Sequence, residues 1–250
     1  MIAKNTLQSI ISKYYLGGKV ESVKWKVKDG KLDIDFMAPT KDMIGRLSCD
    51  KFPMVNEGEM AIFNTTQLNR LLNVLAGDLM LDASKTNKVL TKLTIQDAKA
   101  SINYSLADPL MIQKVGEVDE NMEWKVQAIL ENEDFHTFVR AASAIQGNEI
   151  VTLAATRDTI DTPVIKFVFG ERMEFSNKVE FYVNAKFGDD VREDNKIPFN
   201  SEMLREIFNA NKTSDECHLS FVDDGLLRLT FVAEEEGIST TYFVVRKADY

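Results

Sequence analysis

The chain has 250 residues, of which 44% are hydrophobic, 9% aromatic and 28% charged. This composition is typical of a soluble globular protein and excludes a disordered chain, a collagen-like chain and a coiled coil. The net charge of −9, from 30 basic and 39 acidic residues, argues against a general surface that coats nucleic acid or an anionic membrane.

Four stretches carry apolar residues at helical spacing, each with one apolar face that must pack against other structure. Asn64 or Thr65 is a favourable cap for the second helix, and Asn200 or Ser201 is one for the fourth. Glycines follow the first three stretches and favour their ends. The predicted helices span residues 3–15, 65–76, 133–146 and 201–212.

Between the helices the sequence predicts β-strands. Residues 23–28 and 31–36 alternate apolar and polar side chains around Asp29-Gly30, a dipeptide that favours a two-residue hairpin turn. Folding about this turn places Val27 opposite Leu32 and Lys26 opposite Asp33. Apolar pairs and opposite charges then fall into register together, which supports the hairpin.

Two further hairpins and a closing strand are predicted. The first has a turn at residues 96–99, which places Leu93 opposite Ile102 and Thr91 opposite Tyr104. The second has a loop at residues 223–225, which places Leu219 opposite Leu229 and Phe221 opposite Leu227. Residues 238–245 form the last predicted strand.

The order of these elements repeats. Residues 63–72 align with 199–208 at an offset of 136, and the first and third helices align at an offset of 128. Leu93 and Ile95 align with Leu219 and Phe221 at an offset of 126. We infer two domains of about 125–135 residues, each with helix, strands, helix and strands. Pro109 cannot extend a strand ladder, so the predicted domains are 1–108 and 123–250, joined by a connector at 109–122.

The sequence carries no nucleotide-binding or nucleophile motif. His136 and His218 lie on different repeats, and turn chemistry explains the acidic pairs at 189–190 and 223–224. We therefore predict no enzymatic activity, no cofactor and no metal site. An enzyme that uses these carboxylates stays open as an alternative.

No segment approaches the roughly 18 apolar residues that a membrane helix needs, and the first residues lack a secretory pattern. Cys49 and Cys217 form no disulfide framework. These features together predict a soluble protein of the cytoplasm, which for a viral protein is the host cytoplasm.

Basic charge is concentrated in the predicted helices. Their residues sum to +2, which leaves −11 for the rest of a chain whose net charge is −9. Solvated helix faces often carry some lysine and arginine, so the asymmetry alone does not decide between a nucleic-acid surface and an ordinary one.

The sequence resembles the DNA polymerase sliding clamps, or processivity factors, of T-even-type tailed phages and their viral relatives. The likeness runs through residues 61–68, 95–100 and 107–109. Residues 225–231 and 238–245 also resemble a clamp's closing strands, and the two-domain layout covers the whole chain.

This resemblance implies an α+β duplicated sliding-clamp fold, with two helices on antiparallel sheets in each domain. It implies a head-to-tail homotrimeric ring whose helices line a hole for double-stranded DNA. A replicative DNA polymerase and an ATP-dependent clamp loader are the implied partners. The basic residues of the helices then become candidates for phosphate contacts: Lys4, Lys13, Arg70, Arg140, Arg205 and Lys212.

Clamps of this kind dock a short apolar peptide of a partner protein beside the connector and the C-terminal segment. Carried over to this chain, the peptide pocket comprises Leu110, Met111, Ile112, Val245, Arg246 and Lys247. These residues also suit an ordinary core. A β-rich structural or adaptor protein of a virus, with domains duplicated only for assembly, is the alternative function.

Overall fold

The structure is a computed structural model that describes residues 1–54, 56–87, 89–119, 122–145, 147, 149–170 and 177–248. The chain divides into two units, one comprising residues 1–116 and 233–240 and the other residues 117–232 and 241–250. The division at Gly116 lies inside the connector predicted for residues 109–122, and residues 233–240 lie outside the unit expected from the sequence.

The first unit alternates two helices with antiparallel strands. Strands β1, β6, β7 and β8 form one sheet in that order, and β4, β3, β2 and β5 are neighbours in a second. Its elements are β1 (Ile2–Ala3), α1 (Lys4–Tyr15), β2 (Val23–Lys28), β3 (Lys31–Met37), β4 (Met43–Cys49), β5 (Gly58–Ile62), α2 (Thr65–Leu72), β6 (Asp78–Thr86), β7 (Val89–Gln96) and β8 (Ser101–Ser105).

The second unit repeats this order. Its strands follow one another as β13, β10, β11, β12, β9, β14, β15 and β16. Its elements are β9 (Val126–Glu131), α3 (Asn132–Ala144), β10 (Ile150–Arg157), β11 (Pro163–Phe169), β12 (Val179–Phe187), β13 (Ile197–Asn200), α4 (Ser201–Ala210), β14 (Glu216–Phe221), β15 (Leu226–Ala233) and β16 (Ile238–Val245).

The duplication inferred from the sequence is therefore present, and both helix offsets are confirmed: α3 starts 128 residues after α1, and α4 starts 136 after α2. The hairpin offset of 126 is wrong. The strand that follows α2 is β6, so β6 and β7 correspond to β14 and β15, and β8 corresponds to β16. Strand β6 is absent from the sequence-based prediction, and it carries Asp78, Asp82 and Ser84 at its exposed positions.

Aromatic side chains fill the core of each unit. In the first, Tyr14 of α1 contacts Trp25 and Phe36, with ring centroids 6.5 and 6.4 Å apart. In the second, Phe138 of α3 contacts Phe208 of α4 at 4.6 Å. Phe138 also contacts Phe169 of β11 at 5.1 Å. Aromatic burial of this kind supplies a large share of packing energy, which explains the single apolar face of each helix.

The hairpin predicted at residues 23–36 is confirmed, with Val27 opposite Leu32 and Lys26 opposite Asp33. The closing hairpin is also confirmed, with Leu219 opposite Leu229 and Phe221 opposite Leu227. The register predicted for residues 91–104 is wrong. Leu93 lies opposite Tyr104, and Ile95 lies opposite Ile102.

Asp97 explains the difference in register. Its backbone N–H donates to the carbonyl of Ala100, which closes a tight turn at residues 97–100. Its carboxylate accepts hydrogen bonds from the backbone N–H groups of Lys99 (2.7 Å), Ala100 (2.6 Å) and Ala76 (2.7 Å), and these bonds lower its pKa. The turn therefore starts one residue later than predicted, which shifts the pairing by two residues.

Candidate nucleic-acid interface

Apart from Lys4 at its start, the exposed face of α1 carries polar uncharged side chains. Leu7, Ile10, Ile11 and Tyr14 are buried on the opposite face, while Asn5 is exposed and Gln8, Ser9 and Ser12 are partly exposed. The Ser12 hydroxyl donates to the carbonyl of Ser9 at 2.8 Å. A prediction based on charged residues alone misses this face, although the three-to-four-residue spacing of its polar side chains is visible in the sequence.

Lys4 lies at the first turn of α1 and is partly buried. Its ammonium donates a hydrogen bond to the carbonyl of Leu75 at 2.6 Å, and its backbone N–H donates to the carbonyl of Gly77 at 3.0 Å. The residue predicted to contact DNA therefore also joins the start of α1 to the loop after α2.

Lys13 does not lie on the exposed face, contrary to the prediction for this residue. Its relative exposure is 1%, and burial lowers its pKa to about 8, an effect that the charge of Glu236 partly opposes. Lys13 is three residues after Ile10, so it flanks the apolar stripe of the helix. This spacing could have predicted its burial, and a lysine enclosed in this way cannot reach a phosphate.

Arg70 and Arg140 do project to solvent. Arg70 is exposed on α2, on the side opposite the buried Leu68 and Leu72. Arg140 is exposed on α3, where its guanidinium donates to the hydroxyl of Thr137 at 3.1 Å. Among the residues that the structure describes, no carboxylate lies within ion-pair distance of either arginine.

The two basic residues of α4 differ. Arg205 is half-buried and forms an ion pair with Glu206 at 2.9 Å, so its charge is largely neutralised. Lys212 lies in the turn after α4 and is exposed. The side-chain amide of Asn132 donates to the Lys212 carbonyl at 2.6 Å, which fixes this turn against the start of α3. Of the six predicted cations, the exposed ones without a described ion pair are thus Arg70, Arg140 and Lys212.

Part of the predicted peptide pocket lies in the first unit. A short helical turn at Pro109–Met111 starts at Asp108, whose carboxylate accepts from the Leu110 N–H at 2.8 Å. Leu110 and Met111 are 90% and 62% exposed, whereas Ile112 is buried. Met111 and Ile112 line an open cavity of about 190 Å³ together with Phe36, Met37 and Pro39. Exposed apolar side chains beside a cavity suit a docking site.

The other part of the predicted pocket lies in the second unit. Val245 is 44% exposed. The Lys247 ammonium forms an ion pair with Glu149 at 2.8 Å, and its N–H donates to the carbonyl of Pro198 at 2.8 Å. The Arg246 N–H donates to the carbonyl of Gly225 at 2.7 Å. The backbone of Arg246 and Lys247 is thus hydrogen-bonded within this unit.

One of the two histidines and one residue of the acidic pair at 189–190 have side-chain partners within the protein. His218 pairs with Glu216 at 2.8 Å, and Asp190 forms an ion pair with Lys125 at 2.9 Å that lowers the pKa of its carboxyl. Within the described ranges, no group of three or more His, Cys, Asp or Glu side chains is placed to hold a metal ion. Nor is any helix in those ranges long and apolar enough to cross a membrane.

The fold resembles that of several solved structures. Proliferating cellular nuclear antigen (PCNA) from Entamoeba histolytica superposes with a TM-score of 0.75 at 16% identity, over 98% of this chain and 96% of that one. The PCNA2–PCNA3 complex of Sulfolobus tokodaii gives 0.74 at 13% identity, over 100% and 98%. A. fulgidus PCNA, solved with the C-terminal region of FEN-1, gives 0.76 at 12% identity, over 100% and 98%.

No protein-family model and no curated protein sequence matches the chain. The evidence for its class is therefore structural. Four helices on antiparallel sheets, arranged as two copies of one unit, match PCNA-type structures over nearly the full length of both chains. The chain has the fold of the PCNA-type sliding clamps.

Proposed function

We propose that the protein is a sliding clamp: three copies form a closed ring that encircles double-stranded DNA and tethers a replicative polymerase. The observation that carries this proposal is the repeat of one unit with open strand edges at β8 and β12. An open edge offers unpaired backbone N–H and C=O groups to another chain. A unit repeated in one chain can extend by the same contact into a ring.

One open edge belongs to β8. In the described residues β8 has only β7 as a strand neighbour. The Leu106 N–H donates to the carbonyl of Thr91, and the Asp97 N–H donates to the carbonyl of Ala100. Because hydrogen-bond direction alternates along an antiparallel strand, the backbone groups of residues 101, 103 and 105 point away from β7. They are free for a further strand.

A further open edge belongs to β12. Residues 179–184 pair with β11 on one side, while β9 pairs only with residues 185–187 on the other. The rest of that second edge has no strand partner among the described residues.

The repeat predicts how these two edges meet. Within the first unit, the start of β16 lies beside β4. The counterpart of β16 is β8 and the counterpart of β4 is β12. The same contact between copies therefore pairs β8 of one chain with β12 of the next. Such a contact is heterologous and closes into a ring when the rotation permits.

The helix faces suit a hole through which duplex DNA slides. A closed ring retains DNA by topology, so individual contacts can be weak. Arg70, Arg140 and Lys212 would touch phosphates without reading sequence. Asn5 and Gln8 on the exposed face of α1 would offer hydrogen bonds to DNA without fixing the ring at one position along the duplex. Lys4 and Arg205 contribute less, because both already have protein partners.

The partners follow from the same proposal. The absence of a nucleotide motif in the sequence fits a ring that a separate ATP-dependent loader opens. Leu110 and Met111, with Val245, would receive an apolar peptide of the polymerase. One matched structure pairs a clamp with the C-terminal region of FEN-1, which supports peptide docking as a mode for this fold. The resemblance to T-even-type phage clamps, and with it the host cytoplasm, stays a prediction, since the matched structures are eukaryotic and archaeal.

Two measurements test the proposal. Light scattering should give three times the chain mass of 28.3 kDa. With its loader and ATP, the clamp should stay on nicked circular DNA and run off the same DNA after it is linearised. Equal retention on circular and linear DNA would contradict sliding. A stable monomer that is never loaded onto DNA would favour an adaptor protein.

A further inference from the structure

An open groove of about 530 Å³ crosses one sheet face of the second unit. It lies over β12, β9, β14 and β15, and none of its lining residues belongs to a helix or to the predicted peptide pocket. Side chains on this face form rows across the strands. The first row, defined by the strand pairings, comprises Lys186, Gln127, Ser220 and Arg228.

Arg228 is held in place at one end of this row. Its guanidinium lies over the ring of Trp124, 4.3 Å from the centroid, and donates to the Ser220 hydroxyl at 3.3 Å. The side-chain amide of Gln127 donates to the carbonyl of Trp124 at 3.2 Å. These contacts fix the position of the guanidinium plane before any ligand arrives.

This charge has no counter-ion in the described part of the chain. No described carboxylate forms an ion pair with Arg228 or with the exposed Lys186, although the chain carries 39 acidic residues. Burial lowers the pKa of Arg228, but an arginine remains charged at neutral pH. A partly buried guanidinium without an anion is a strong recognition group for a carboxylate.

The corresponding face of the first unit lacks these features. Asp78 pairs with Ala3 just before α1, and Glu216 pairs with Glu131 just before α3, so Asp78 corresponds to Glu216. Asp82 is then the counterpart of Ser220, and their partners Thr94 and Arg228 are counterparts too. Gln96 and Asn103 continue that face as small or neutral polar residues. Because the two units share one fold, the arginine and its contacts are a feature of the second unit's sequence and not a consequence of the fold.

The next rows indicate what kind of molecule would fit. Ile129, 54% exposed, lies opposite His218 in the second row. Glu131 lies opposite Glu216 in the third. A nucleic-acid backbone that ran along the strands from the first row would meet these two carboxylates. A polypeptide with one acidic and one apolar side chain meets no such repulsion.

The spacing of the rows matches an extended peptide. Successive rows are two residues apart along each strand, or about 6.8 Å, which is also the distance between side chains on one face of an extended peptide. We propose that this groove binds an extended segment of a partner protein. The segment would place a carboxylate over Gln127 at the middle of the first row, where the long side chains of Arg228 and Lys186 could approach it from the two ends of the row. Two residues away it would carry an apolar side chain for Ile129, which is two residues from Gln127 on β9.

The proposal goes beyond the clamp function and does not depend on it, so the test needs no ring, loader or DNA. The probe is a fluorescent peptide rich in serine and glycine with Glu and Leu two residues apart, titrated against the full chain and read by anisotropy. Matched probes replace Glu with Gln or place Leu next to Glu. An oligothymidylate of similar length tests a phosphate backbone.

The matched variants are Arg228→Gln and Lys186→Gln in the groove and Lys92→Gln on the corresponding face of the first unit. Lys186 is exposed, so its variant remains informative if Arg228→Gln fails to fold. Loss of the charge-assisted hydrogen bonds should weaken binding of the Glu-Leu probe about tenfold or more in both groove variants. Lys92→Gln should bind like the parent chain.

Several outcomes would overturn the proposal. They are the absence of saturable binding at millimolar peptide, equal affinity for the Glu and Gln probes, and an equal loss in Lys92→Gln. Binding of the oligothymidylate that depends on Arg228, without binding of the peptide, would assign the groove to nucleic acid instead.

Discussion

The side chains of Asn64 and Asn200 form the same cap at the start of corresponding helices. Asn64 accepts a hydrogen bond from the Gln67 N–H at 2.8 Å, and Asn200 accepts one from the Met203 N–H at 3.0 Å. Each bond satisfies a backbone donor that would otherwise lack a helical partner. The duplication thus extends to the hydrogen bond that starts the second helix of each unit.

Replacing either cap should destabilise its unit. We expect Asn200→Ala to lower the free energy of unfolding by about 1 kcal/mol, the usual cost of losing an asparagine cap. Urea denaturation followed by circular dichroism measures this. Asn209→Ala, at an exposed position within α4, is the control and should be neutral or slightly stabilising because alanine favours helices. Equal stability of both variants would show that the cap contributes nothing.

The elements with local signals are the ones that the sequence predicts. The Asp29-Gly30 turn, the helix stripes and the asparagine caps depend on residues close together in the chain. The register at residues 91–104 cannot be predicted in the same way, because the Asp97 side chain also accepts from the distant Ala76 N–H. A contact across the fold helps to fix that turn.

The candidate site also depends on contacts that local sequence signals do not predict. Phe63 and Phe199 occupy matching positions before the second helix of each repeat, yet Phe63 is 48% exposed and Phe199 is buried. The charge of Lys13 favours a solvent-facing position, whereas its place beside the apolar stripe puts it in the interior. The groove beside Arg228 is not visible in the sequence because four strands separated along the chain form it.

Gly45 is essential for the position of Phe36. The two residues lie opposite each other on β4 and β3, and a Cβ atom on Gly45 would fall within the Phe36 ring. Phe36 is 1% exposed and packs on Tyr14, so it has little room to move. We expect Gly45→Ala to lower the free energy of unfolding by about 1–3 kcal/mol through overpacking.

Thermal and urea denaturation measure the effect of Gly45→Ala. Gly116→Ala is the control, since its Cβ would make only an ordinary contact with Ile44, at 3.5 Å. If Gly45→Ala unfolds like the parent chain, Phe36 does not fill the space above Gly45 in solution.

Buried Lys13 should make stability depend on pH in the alkaline range. Its pKa is about 8 in the folded chain, against an ordinary value of 10.5. Below pH 8 the ammonium is charged in both states, and its burial costs stability. Between pH 8 and 10.5 the folded chain releases the proton first, so the free energy of unfolding rises with pH by up to about 3 kcal/mol.

Lys13→Met removes the titrating group and keeps the length of the side chain. Urea denaturation from pH 7 to 10.5 measures the unfolding free energy of both proteins. As pH rises, the unfolding free energy of the parent chain should increase relative to that of the variant. Other groups that titrate in this range contribute equally to both proteins, so their contributions cancel when the two free energies are subtracted. A difference that stays constant with pH would mean that Lys13 is solvated.

The open edge of β8 provides a test of the ring. Asn103→Pro removes one backbone N–H that points away from β7, and proline is tolerated at such edge positions. We expect this variant to keep its circular dichroism spectrum but to scatter light as a single chain. Asn103→Ala retains the N–H but loses the bond from the Thr94 hydroxyl to the Asn103 side chain. It should still form the trimer, and loss of the trimer in both variants would point to the side chain instead.

The last prediction concerns the binding of DNA phosphates by Arg70 and Arg140. If each touches a phosphate, Arg70→Gln or Arg140→Gln should make the binding of a short blunt duplex less dependent on salt. The slope of log K against log salt should fall by about 0.9 for each phosphate that the variant no longer neutralises. Anisotropy titrations across a range of sodium chloride concentrations measure this slope.

Lys92→Gln provides the matched control. It removes the same charge from the exposed face of β7, while the neighbouring Leu93 is buried on the opposite face of that strand, so it should leave the slope unchanged. Lys13→Gln should also leave it unchanged, because that side chain is enclosed. An equal reduction in Arg70→Gln and Lys92→Gln would show that DNA responds only to net charge. Phosphates would then not be met specifically at the helix faces, and the proposed hole would lose its main chemical support.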